Sequence, residues 1–285
     1  MKKVLGLLGT LALSVTLVAC GNSTTGSEEG TASNTDTASE TETLRVGASA
    51  VPHTEILETA KPLLAERGID LEITTFIDYI LPNEALYENE IDVNYFQTPG
   101  YLASQMDDNE QYDFVSVGEV HYEPIGVYSK EYNSLDELPD GATIIISDSI
   151  SDHGRILPIF ERAGLIELDV EEGELARIEN ISSNPKNLKF DEYQVEAKML
   201  APSFQNDEGD AVVINTNYAL EGGVDIDAYG IAFEGEDVLQ PNLLVVNASD
   251  EDNELVQALY EVLTSEEIQE FIIEKYNGAV IPVQK

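Results

Sequence analysis

Few side chains in this sequence pair a reactive or strongly charged group with a spacing that could do chemistry. The one cysteine, Cys20, stands where an apolar run from Val4 to Ala19 stops, and Gly21-Asn22-Ser23 follow it. His53, His121 and His153 are far apart, and no local spacing recommends a metal site, although three separated histidines could still converge in space. Each histidine is read as a hydrogen-bonded loop or core residue. There is no Gly-x-Ser-x-Gly elbow, no phosphate-binding Gly-Lys-Ser/Thr loop and no His-Glu-x-x-His, so no catalytic centre, cofactor or metal is expected. Arg155 follows Asp152-His153-Gly154 at the predicted start of a helix. Among only 14 Lys+Arg it is either a carboxylate anchor or a surface arginine of an acidic protein.

Composition bounds the rest. Of 285 residues, 42% are hydrophobic, enough for substantial cores and comfortable for two lobes. One cysteine permits no disulfide, so burial and hydrogen bonding must hold the fold. A net charge of −41 repels nucleic acid and anionic headgroups. The acids fall in short clusters, among them Asp207-Glu208-Gly209-Asp210 and Glu234-Gly235-Glu236-Asp237, that read as solvated surface. None has the alternating carboxylate spacing of a calcium loop.

Lys2 and Lys3, the apolar run and the small residues before Cys20 make a signal peptide over residues 1–19. The pattern resembles a bacterial lipoprotein signal, which implies diacylation of Cys20. The run is shorter than the ~20 residues a membrane span needs. Residues 20–43 are rich in Ser, Thr, Gly and Glu and read as a flexible tether.

The elements that must position any site begin near Leu44. A strand is predicted over 44–49, then a helix over 54–67 capped by Thr54, with Ile56, Leu57, Ala60, Leu63 and Leu64 on one face and Gly68 closing it. A strand over 71–76, a helix near 82–89 and a strand over 91–96 follow. A second module has strands over 142–146, 188–193 and 211–214 and a helix over 152–163. A strand over 242–246 and helices over 252–263 and 265–276 end the chain. Strands alternating with helices predict an α/β fold with mainly parallel sheets. Two such modules predict a clamshell with a small-ligand cleft between the lobes.

Several long motifs identify a resemblance. They include Asp78-Tyr79-Ile80-Leu81-Pro82-Asn83, Ser134-Leu135-Asp136-Glu137-Leu138-Pro139 and Asn184-Pro185-Lys186-Asn187-Leu188. Ile214-Asn215-Thr216-Asn217-Tyr218 and Tyr276-Asn277-Gly278-Ala279-Val280 continue the series to the end of the chain. Together they resemble the NlpA-type methionine-binding lipoproteins, substrate-binding subunits of methionine ABC importers. The resemblance implies a type II periplasmic-binding-protein-like clamshell with two interlobe crossings. Lobe 1 would be residues 44–127 plus 233–285 and lobe 2 residues 128–232. It implies a ligand pocket of L-methionine or a related amino acid, with Tyr79, Phe96 and Tyr101 around the thioether. Arg155 would hold the carboxylate, and Asn215 and Asn242 the backbone atoms of the ligand; Asn217 matches a family polar position less firmly. Thr98 stands where the family usually has a histidine, and Asp152 where it often has asparagine. The implied partners are an ABC permease and, through Cys20, the extracytoplasmic face of the cell membrane. The alternative on the same fold is a surface adhesin or interaction module without a transport role.

Overall fold

The computed structural model describes residues 41–171, 174–190 and 192–284. The signal peptide, Cys20 and nearly all of the tether lie outside the described residues. Glu42 and Thr43, read as tether, belong to the first strand, where they pair with Ile69 and Asp70.

The chain builds β1 (Glu42–Ser49), α1 (Glu55–Ala65), β2 (Ile69–Phe76), α2 (Leu81–Tyr87), β3 (Val93–Gln97), α3 (Pro99–Asp108) and β4 (Phe114–Tyr122). It then crosses to β5 (Gly126–Tyr128), β6 (Ile144–Ser147), α4 (Ile150–Arg162) and the short pair β7 (Glu167–Leu168) and β8 (Ile181–Ser183). β9 (Gln194–Val195), α5 (Leu200–Gln205), β10 (Ala211–Ile214), α6 (Thr216–Glu221), α7 (Ile226–Tyr229) and β11 (Gly230–Phe233) complete that part. The chain returns through β12 (Pro241–Asn247), α8 (Glu254–Leu263), α9 (Glu266–Tyr276) and β13 (Ile281–Pro282).

Two large sheets result, ordered β13-β4-β12-β3-β1-β2 and β11-β5-β10-β6-β9, beside the two-stranded β7-β8. The central strands β6, β10 and β12 are covered on both faces, which is why they read as apolar runs. Along β12, Leu244 and Val246 face α1, α8 and α9, while Leu243 and Val245 face the core that holds Leu86 and Leu102. Along β6, Ile144 and Ile146 pack with Phe160 of α4, while Ile145 packs with Leu200 and Phe204 of α5. Gly68 and Gly164 end α1 and α4 with φ of 79° and 72°, a conformation a side chain disfavours.

Several expectations are corrected. The sheets are mixed rather than mainly parallel: β12 runs antiparallel to β3 and β4, and β5 runs antiparallel to β10 and β11. A strand that re-enters a sheet after a crossing need not share the direction set by the βαβ units. Thr54 is no cap; it is helical itself and its hydroxyl donates to Ser49 O at 2.9 Å. The strand expected over 188–193 reduces to a bridge at Lys189 and to β9 just beyond it. β5 and β11 pair in the second sheet, so Gly126, Val127 and Phe233 lie with that sheet rather than with the first.

The crossings therefore run from Tyr122 to Gly126 and from Phe233 to Pro241. They are tied together. Glu234 N–H donates to Ile125 O at 2.8 Å, and Ile125 N–H donates to Glu234 Oε2 at 3.1 Å. No helix among the described residues is long and apolar enough to cross a membrane.

Candidate functional site

The carboxyl ends of β2, β3, β6 and β10 and the first crossing converge on one cavity. Tyr79 reaches it from the loop after β2, Phe96 from the end of β3, and Thr98 and Tyr101 from the start of α3. Asp152 and Arg155 reach it from α4, Asn215 from the end of β10, and Asn242 from β12. The structure thus brings all eight candidate residues to one cavity. Gln97, Glu123, Ile125, Thr216 and Asn217 also line it.

One wall is aromatic. Tyr79 lies 5.8 Å from both Phe96 and Tyr101, and Phe96 lies 5.9 Å from Tyr101, each measured between ring centroids. Tyr218 of α6 adds a fourth ring 4.9 Å from Tyr79. Tyr79 OH donates to Asn217 Oδ1 at 2.7 Å and Tyr101 OH donates to Tyr79 O at 3.0 Å, fixing the two phenols. Burial pushes both phenols well above their ordinary range, so they remain neutral donors. Thr98 precedes α3 in extended conformation and makes no side-chain capping bond.

The other wall is polar and incompletely paired. Asn215 Nδ2 donates to Asp152 Oδ1 at 3.3 Å, while Asp152 Oδ2 and Asn217 Nδ2 are buried with no hydrogen-bond partner among the described residues. Buried polar atoms are nearly always paired, so this acceptor and this donor on one cavity are available to ordered water or to a ligand that supplies both partners.

Arg155 lies in the second turn of α4, since that helix begins at Ile150 rather than at Asp152. It is buried, which discards its reading as a surface arginine. Its Nε donates to Glu234 Oε1 at 2.8 Å, and its Nη2 donates to Glu234 Oε2 at 2.5 Å and to Glu123 O at 3.0 Å. Burial works against its charge, but Glu234, with Asp152 and Tyr79, outweighs burial and raises the guanidinium further. Glu234 is the missed residue. Its acidic run reads as surface, yet its side chain is fully buried.

Behind the cavity, residues remote in sequence meet. His121 Nε2 lies 2.6 Å and His53 Nε2 3.3 Å from Glu123 Oε1. Tyr95 OH bonds His121 Nδ1 at 2.5 Å, and His53 Nε2 lies 2.9 Å from Asn242 Oδ1. Burial lowers the histidines to about 4 for His53 and about 3 for His121, so both are neutral near pH 7. Burial raises the Glu123 carboxyl. Two imidazoles and a carboxylate within 4.8 Å are donors a metal could use. Neutral imidazoles account for the same distances: His121 Nε2–H donates to Glu123 Oε1 and His53 Nε2–H donates to Asn242 Oδ1, with Glu123 3.3 Å away. His153 lies apart, its Nε2 2.9 Å from Ser147 O. No local spacing signals the His53–His121–Glu123 meeting, because it joins an irregular turn after β1 to the end of β4.

Two α/β sheets, two crossings and a cavity at the strand ends define a two-lobed solute-binding protein. The chain belongs to the NlpA lipoprotein family, whose sequence model matches residues 44–284. It is 43% identical over 242 residues to the methionine-binding lipoprotein MetQ of Bacillus subtilis, covering 84% of this chain and 88% of that one. It is 33% identical over 271 residues to the membrane lipoprotein TpN32 of Treponema pallidum, covering 95% of this chain and 93% of that one. Among solved structures, the nutrient-binding protein of Burkholderia cenocepacia bound to methionine matches with a TM-score of 0.79 at 33% identity, over 85% of this chain and 100% of that one.

Proposed function

We propose that this protein captures L-methionine, or a closely related amino acid, in the cavity and delivers it to an ABC permease, without catalysing a reaction. One observation carries the reading. The cavity sets a carboxylate oxygen and an amide donor that have no partner among the described residues, together with Arg155, against an aromatic wall. An amino-acid ammonium suits Asp152 Oδ2, and the carboxylate suits Arg155 Nη1 and Asn217 Nδ2. An unbranched thioether suits the rings of Tyr79, Phe96 and Tyr101. The names of the relatives point the same way. On this reading the lobes are residues 42–122 with 241–284, and residues 126–233. Cys20 carries the lipid that holds the protein on the extracytoplasmic face of the membrane.

The test is mass spectrometry of whatever freshly purified protein releases on denaturation, with thermal melts in L- and D-methionine. A ligand that binds only the native state stabilises it by RT ln(1+[L]/Kd). Methionine in the released fraction and a rise in Tm are expected. No released amino acid, and no shift across an amino-acid panel, defeats the reading.

A further inference from the structure

Arg155 is carried on α4 of the second sheet, yet its bonds go to the two crossings. Nε and Nη2 face Glu234 of the second crossing, and Nη2 also faces the carbonyl of Glu123 in the first. A guanidinium has five N–H donors in a rigid plane. Three are engaged in this way, and the two on Nη1 have no partner among the described residues. Arg155 also lines the cavity. Glu234 is itself fixed at both ends of its residue, its N–H on Ile125 O and its Oε2 under Ile125 N–H.

We propose that Glu234 is the positioning residue of the carboxylate subsite, clamping the Nε–Nη2 edge of Arg155 so that the Nη1 edge is held open for the ligand. The proposal rests on the amino-acid reading of the cavity. A free arginine would give up its side-chain freedom at each capture; one already clamped gives it up on folding and loses none on binding. Ligand and Glu234 take opposite edges of one planar cation, so they do not compete for the same N–H. Because Glu234 joins the two crossings, the anchor is registered to the hinge rather than to α4 alone. A buried ion pair kept for stability only would serve every ligand alike. A positioning pair serves the carboxylate selectively.

The experiment compares calorimetric affinities for L-methionine and L-methioninamide, which lacks the carboxylate, in the unaltered chain, Glu234→Gln and Glu234→Asp. The unaltered chain is expected to prefer methionine. Glu234→Gln should shrink that preference by about tenfold or more. Glu234→Asp keeps the charge but withdraws it by one methylene, so it should shrink the preference less and serves where Glu234→Gln does not fold. A folded variant with the preference of the unaltered chain overturns the proposal. In the unaltered protein, the Arg155 Nε–H proton should be protected from solvent exchange with and without ligand. Exchange as fast as that of an exposed arginine also overturns it. A chain that binds neither compound defeats the amino-acid reading and this proposal with it, whereas tight methionine binding with an unchanged preference defeats the proposal alone.

Discussion

Asn215 decides which oxygen of Asp152 is left over. Its Nδ2 donates to Oδ1 at 3.3 Å, and Oδ2 stays buried and unpaired among the described residues. Leaving such an atom unsatisfied costs about 1–3 kcal/mol. Asp152→Asn puts an amide donor where that acceptor stood, so it should reduce the rise in Tm produced by L-methionine without relieving the unpaired position. Melts of both proteins with and without ligand check this, and a larger ligand shift in the variant would assign the ammonium elsewhere.

Arg155→Ala leaves Glu234 buried without its cation, and breaking one side of such a pair costs about 3–5 kcal/mol. Urea unfolding should show that loss alongside the disappearance of the methionine shift. Combining Arg155→Met with Glu234→Leu should recover much of the stability, because the apolar pair needs no desolvation, but none of the binding. Recovery of binding in the double variant would remove the pair from the site.

The buried histidines make stability depend on pH. Folded values of about 4 for His53 and about 3 for His121 lie below the ordinary 6.5. Between those values the unfolded chain binds more protons than the folded one. Their contribution is thus full above pH 6.5 and is lost as pH falls toward 4. Glu123 acts in the opposite sense. Its carboxyl is raised above 4.5, so its contribution is lost as pH rises through that value. Many other carboxylates titrate too, so the check is a difference: urea midpoints of the unaltered chain and His121→Asn from pH 7 to 4.5. The unaltered chain should lose more stability over that range; parallel curves would mean that His121 is not buried neutral.

The aromatic wall predicts a preference for sulfur. Sulfur–aromatic contacts add at most about 1.5 kcal/mol, so L-methionine should bind up to about tenfold tighter than L-norleucine of the same length. Phe96→Leu should narrow the difference in calorimetry. Equal affinities in the unaltered chain would place the side chain away from the rings.

Packing between β4 and α8 gives a test remote from the cavity. A Cβ on Gly118 would lie 2.3 Å from the ring of Tyr260. Gly118→Ala should cost about 1–3 kcal/mol through overpacking. Tyr260→Leu in the same chain should return part of that loss, a coupling that a double-mutant cycle measures.

The legible part of this molecule is where chemistry is local. Ile144, Ile145 and Ile146 read as a strand because both faces are covered, and Ile56, Leu57, Ala60 and Leu64 read as a helix because one face meets a sheet. Tyr79, Phe96, Thr98, Tyr101, Asp152, Arg155, Asn215 and Asn242 were legible as a set through their motifs, and they share a cavity. β4 was missed: its Ser116, Gly118 and Glu119 interrupt the apolar pattern. Glu234 was misread because its neighbours Gly235, Glu236 and Asp237 suggest solvent, and only its distant partner keeps it buried.

The sequence by itself determined the strand and helix alternation, the acidic surface and the kinds of group available to a ligand, because these follow from residue type and from neighbours a few positions away. Only the tertiary structure decided which groups are paired. Arg155 and Glu234 are 79 residues apart, and His53 and Asn242 are 189 apart. Pairing and protonation depend on burial and on contacts across the crossings, and neither is written in any local stretch of the chain. That is why the same arginine could be read as surface or anchor, until the fold buried it, paired it with Glu234 and set it in the lining of the cavity.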